Sequence, residues 1–123
     1  MIAAAVLAAA VAAAPLTAGA GLDCALGYDA LTARMKAAPK LQAYPSRYPL
    51  LDTYNDSAAL TLYAVTREGH PAHPAFAMRK INGMGPGMAV VTSACGYGDK
   101  AGFEQLLRDI EILNAGVRKS YGG

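Results

Sequence analysis

Residues 58–67 read AALTLYAVTR, and the reading of this stretch decides the fold. Leu60, Leu62 and Ala64 fall on one side of a period of two, and Thr61, Tyr63 and Val65 on the other, which predicts a strand. Both sides are apolar enough to be covered, so the strand is expected at the centre of a sheet. Upstream, Asn55-Asp56-Ser57 is a turn cluster in which Asp56 can cap the backbone. Before it, Leu50–Tyr54 predicts a short strand. Downstream, REGHPAHP (67–74) forms a hairpin loop leading to a strand over Ala75–Ile81. That strand sets Ala75, Ala77, Arg79 and Ile81 against Phe76, Met78 and Lys80. NGMGPG (82–87) is a turn, and it lacks the Lys-Ser or Lys-Thr of a phosphate loop. Met88–Cys95, MAVVTSAC, is β-branched and apolar and predicts a buried strand. Successive strands joined by short turns pair antiparallel.

Helices are expected at both ends. Cys24, Tyr28, Leu31 and Met35 recur at helical spacing and predict a helix over Leu26–Ala38. Gly27 loosens its start, and Pro39 ends it by removing a donor and crowding the preceding turn. Near the C-terminus, Asp99 is placed to cap a helix whose buried face carries Phe103, Leu106, Leu107, Ile110, Leu113 and Val117. Glu104 and Arg108 are spaced for an ion pair on its wet side, and Gly116 suits its C-terminal cap. Between the first helix and the first strand, Tyr44-Pro45 and Tyr48-Pro49 repeat a dipeptide that favours extended backbone. An irregular connector packing tyrosine rings on the domain is expected there. The fold class is therefore α+β: an antiparallel sheet of about four strands, with an N-terminal and a C-terminal helix packed on one face.

Residues 1–22 carry no charged side chain. The run MIAAAVLAAAVAAAPLTAGA has the apolar stretch and the small-x-small ending, Ala18-Gly19-Ala20, of a secretory signal peptide. It is read as a signal peptide over residues 1–20, followed by a single domain over 21–123 beginning at Gly21. No membrane span is expected after cleavage. The alternative is an uncleaved anchor, since such a run approaches the roughly 20 residues that cross a bilayer. Alanine contributes little to insertion, and Pro15, Gly19 and Gly21 weaken a helix there. Export places the protein in the periplasm or outside the cell. There, Cys24 and Cys95 read as one disulfide bond. In the chain-entropy model such a bond, closing a loop on the order of seventy residues, contributes about 4 kcal/mol. Two buried free thiols, or a catalytic Cys-His pair, are the alternative readings.

The chain has 11 basic and 9 acidic side chains, a net charge of +2. These are spread without a basic block, so no nucleic-acid partner is expected. The loop carries the chemistry worth weighing. Pro71 and Pro74 fix φ and hold His70 and His73 away from helix. Neutral imidazoles are good ligands for copper or zinc, so His70 and His73 are the candidate metal ligands, with Met78 or Met84 as soft partners for copper. Zinc needs three or four protein ligands, and with both cysteines paired the remainder would have to come from Glu68, Asp52 or Asp99. No catalytic residue is assigned. A histidine could serve as a general base, but Ser57, Ser93 and Ser120 lack a nucleophile-elbow setting. Asp52 and Asp56 are spaced as paired carboxylates, although turn capping accounts for Asp56 more simply.

The stretch Pro71-Ala72-His73-Pro74-Ala75, with Arg79 on the following strand and Cys95-Gly96 before the terminal helix, resembles small exported proteobacterial proteins of unknown function that share a Pro-Ala-His-Pro-Ala loop. The resemblance implies a fold type and a compartment and assigns no reaction. A small secreted or periplasmic binding or structural envelope protein is the functional expectation, its partner an envelope component or a peptide. The contact surface is expected to include the loop residues His70, Pro71, His73 and Pro74 and the nearby Tyr-Pro segment. The alternatives are a periplasmic copper- or zinc-binding protein and a small periplasmic hydrolase. No resident cofactor is expected outside the metal reading.

Overall fold

The computed structural model describes residues 14–121, so the apolar start of the expected signal segment lies outside the described residues. In chain order the elements are β1 (Leu16–Ala18), α1 (Tyr28–Lys36), β2 (Leu41–Tyr44), β3 (Leu51–Asp56), β4 (Thr61–Thr66), β5 (Ala75–Asn82), β6 (Ala89–Gly96) and α2 (Lys100–Tyr121). The class is α+β, with one antiparallel sheet in the order β1-β6-β5-β4-β3-β2. AALTLYAVTR supplies β4, which lies inside the sheet between β5 and β3. Its alternation is as read. Ala64 joins the core beneath α2, and Val65 joins the core beneath α1.

Among the described residues the sheet has six strands rather than about four. β1 comes from Leu16-Thr17-Ala18, inside the run read as a leader, and pairs with β6 through Leu16↔Gly96, Thr17↔Cys95 and Ala18↔Ala94. The folded sheet thus reaches back past the boundary expected at Gly21. Gly21 itself donates its N–H to Ser93 Oγ at 2.8 Å. β2 comes from Leu41–Tyr44, inside the expected connector, and pairs with β3. Neither strand has a strong period of its own; each is made by the neighbour that offers it a ladder.

The helices do not share a face. α2 covers Leu51, Ala64, Ala75, Ala77 and Ala94 with Phe103, Leu106 and Ile110. α1 packs Leu31 and Met35 on the other face, against Val65, Phe76 and Cys95. The reason lies in the strands: β4, β5 and β6 carry apolar side chains on both sides, and each side needs a cover. Small alanines on the α2 face let the long helix lie close.

The predicted helix boundaries shift for local reasons. Asp23 caps a separate 3₁₀ turn, Cys24–Leu26, by accepting from Ala25 N–H at 3.1 Å. Gly27, at φ +89°, then breaks the path, so α1 begins at Tyr28. At the other end α2 runs through Gly116 to Tyr121, because its amphipathic pattern continues and a single glycine does not stop it. Asp99 caps α2 as expected, accepting from Gly102 N–H at 2.8 Å. Arg108 donates to Gln105 at 2.9 Å rather than pairing with Glu104. The Cys24–Cys95 disulfide is present with Cα atoms 5.4 Å apart, joining the start of the α1 layer to β6.

Candidate functional site

The His70–Pro74 loop is a clamp between the helices. His70 Nδ1 accepts from Ala72 N–H at 2.9 Å, closing the loop on itself. His73 Nδ1 meets Thr66 Oγ1 at 2.8 Å, and that hydroxyl also accepts from Ala75 N–H at 2.9 Å. Either tautomer of His73 satisfies the contact, because a hydroxyl both donates and accepts. Tyr28 of α1 stands edge-on to the His73 ring, centroids 5.2 Å apart, and donates to Thr66 O at 2.5 Å. Burial first, and then the Asp52 carboxylate, push the Tyr28 phenol up, so it stays a donor. From the other side, Gly98 and Gly102 let the start of α2 lie directly on the backbone carbonyls of His73 and Pro71.

These contacts bear on both chemical readings of the loop. Each imidazole commits Nδ1, that of His70 to the loop backbone and that of His73 to Thr66 at the end of β4. Among the described residues no group of three or more His, Cys, Asp or Glu is placed to hold an ion. Thr66, the hydroxyl beside His73, is fully buried, so no substrate carbonyl reaches it in this geometry.

The Tyr-Pro segment lies close by. Arg67 N–H donates to Leu50 O at 2.8 Å, tying the loop entrance to the end of the connector. Tyr44, Pro45, Tyr48, Pro49, Tyr54 and Arg67 are among the residues lining a cleft of about 600 Å³ there. Arg67 makes a 3.2 Å ion pair with Asp52, both solvent-exposed, and Arg47 lies 5.9 Å from the centre of the Tyr48 ring.

A second cleft begins on the other side of Tyr44 and is built by strand register. Gln42, Asn55, Leu62, Arg79 and Thr92 are successive cross-strand partners, so they form one row across the sheet. α2 lies over the Arg79–Thr92 end of this row. There Asn114 donates to Thr92 Oγ1 at 2.8 Å and accepts from Arg79 Nη1 at 3.4 Å. At the β2 side the row is open: Gln42, Asn55, Leu62 and Tyr44, with Val117 and Tyr121 of α2, line a cleft of about 320 Å³. Tyr44 stands at the junction, its hydroxyl accepting from Arg79 Nη2 at 2.9 Å while its ring lines the cleft.

Arg79 is 0% exposed. Its partners are a neutral amide and a neutral phenol, its Nε has no partner, and among the described residues no carboxylate pairs with it. A guanidinium held out of water without a counter-charge costs several kcal/mol. The sequence carried a signal for it: one charged residue on a strand face otherwise made of Ala75, Ala77 and Ile81. No protein-family model, curated protein or solved structure matches the chain.

Proposed function

We propose that the protein is a small exported binding domain, acting in the periplasm or outside the cell, that takes a small anion at Arg79. The observation that carries this is the buried guanidinium without a counter-charge among the described residues, bonded to the hydroxyl of Tyr44, whose ring lines an open cleft. A carboxylate or other oxyanion supplies the missing charge and accepts from the planar donor fork, for which arginine is suited. Tyr44 is the cover: rotation of its ring opens the path from the cleft to the guanidinium. The disulfide speaks for an oxidising, non-cytoplasmic compartment. No helix among the described residues is long and apolar enough to cross a membrane. The resemblance centred on Pro71–Ala75 supports the same exported setting. The test is titration calorimetry with sodium benzoate and with inorganic phosphate at constant ionic strength. Saturable heat from at least one, lost in Arg79→Met, is expected; heat from neither overturns the proposal.

A second reading is favoured by the outer edge of β2, which has no strand beyond it among the described residues, lying beside the Tyr-Pro cleft. An extended peptide of an envelope protein adds to that edge by backbone hydrogen bonds, with its side chains against the tyrosines. Binding of that kind survives Arg79→Met and is lost when Tyr48 and Tyr54 become alanine. The opposite pattern excludes it.

A further inference from the structure

The cleft lined by Tyr44, behind which Arg79 is buried, adjoins a second, apolar groove of about 200 Å³, and the two share Asn55, Leu62 and Tyr121. The groove adds Leu60, Ile81 and Met84. Its apolar walls are left in water: Leu60 is 50% exposed, Tyr121 63% and Met84 72%. Three large apolar side chains from a turn, a hairpin tip and a helix end, converging on one groove, are more than scattered surface residues. Leu60 is held there at φ +50°, ψ +48°, a left-handed conformation that a leucine rarely adopts. A residue without a side chain would relieve that strain, yet the position carries a large apolar one aimed at no buried cluster.

Behind Tyr44, at one end of the combined channel, thus lies a cation that has no counter-charge among the described residues, and the other end holds exposed apolar surface. Resting on the reading of Arg79 as an anion site, we infer that the ligand is a monocarboxylate with an aliphatic tail, a medium-chain fatty acid. Its carboxylate displaces the Tyr44 hydroxyl from Arg79, and its tail lies over Leu62 towards Leu60 and Met84. Inorganic phosphate and dianionic metabolites lack the tail. A purely apolar ligand leaves the guanidinium uncompensated.

The experiment is a calorimetric series of hexanoate, octanoate and decanoate below their critical micelle concentrations, with decanol and benzoate alongside. Affinity should rise about fourfold per methylene, the value of burying one such group in an apolar site. Decanol should bind at least tenfold more weakly than decanoate, and Arg79→Met should abolish that preference. Leu60→Asn, a residue that tolerates the left-handed backbone, should flatten the series. Benzoate binding with no gain along the series overturns the aliphatic tail and leaves the anion site standing. Equal affinity for decanol and decanoate overturns the role of Arg79. No binding of any carboxylate overturns both.

Discussion

At the scale of the residue, Arg79 and His70 make opposite demands on their surroundings. Arg79 is buried among neutral partners. Replacing such a charge by an apolar side chain of similar length removes a desolvation cost and leaves one buried acceptor, Asn114 Oδ1, without its donor. Arg79→Met is therefore expected to fold and to lie within about 1 kcal/mol of the parent or above it, as read by urea denaturation without ligand. A loss of several kcal/mol would mark Arg79 as structural. His70 must stay neutral, because its Nδ1 accepts from Ala72 N–H. Burial lowers its pKa below the ordinary 6.5, partly opposed by Asp109 and assisted by His73. A folded pKa below the unfolded one means that the unfolded chain binds more protons in between. This contribution to stability is complete above pH 6.5 and is lost as pH falls through the lower, folded value. The unfolding midpoint should fall between pH 7 and pH 5, less so in His70→Gln. Equal slopes in the two proteins would clear His70.

At the scale of the element, two glycines of α2 separate close approach from flexibility. A Cβ on Gly102 would lie 2.2 Å from Pro71 O, a backbone atom that cannot step aside. Gly102→Ala should cost about 1–3 kcal/mol, because the helix start must lift off the loop. A Cβ on Gly116 meets nothing within 4 Å, so Gly116→Ala should stabilise by about 0.5–1 kcal/mol through helix propensity alone. Thermal denaturation of the pair is a direct check, and the two shifts must have opposite signs. β1 carries a third prediction. Leu16 and Ala18 pack against the α2-side core, and Gly19 lies directly on Thr92 O. A chain starting at Gly21 should be less stable than one starting at Ala14 by about 1–3 kcal/mol, roughly the burial of one large aliphatic side chain. The N-terminal sequence of the protein purified from its producing cells then tests whether any processing spares the strand. A leader cut after Ala20 with no loss of stability would make β1 dispensable.

At the scale of the whole molecule, the disulfide ties the first described turn to a strand 71 residues away and holds the α1 layer to the sheet. Its reduction should lower stability by about 4 kcal/mol in the chain-entropy account, a large share for a domain of this size. Native protein treated with an alkylating agent without reductant should show no mass increase. Unfolding midpoints that coincide with and without reductant would contradict the assignment of so much stability to the bond. The sheet between the two helices is closed by the loop clamp at one end and open at the other, where the end of α2 stands over β2–β4. The proposed binding falls at that open end because α2 crosses the sheet without covering all of it.

The amino-acid order alone determined the central strands, the amphipathic last helix, the Asp99 cap, the hairpin loop and the cysteine pairing. Each rests on local period, turn chemistry or a compartment rule that acts over a few residues. Tertiary structure decided what lies beyond that reach. β1 and β2 exist because β6 and β3 offer them ladders, and short segments such as LTA and LQAY carry no period strong enough to declare themselves. The two helices occupy opposite faces because strands apolar on both sides need two covers, and a period of two does not say which cover goes where. The histidine loop became a clamp, its contacts coming from Tyr28, Gly98 and Gly102, all distant in the chain. Arg79 became the candidate site only when register set it beside Leu62 and Thr92 and helix packing set Asn114 above it. A buried charge acquires its meaning from the groups around it, and those are supplied by the fold.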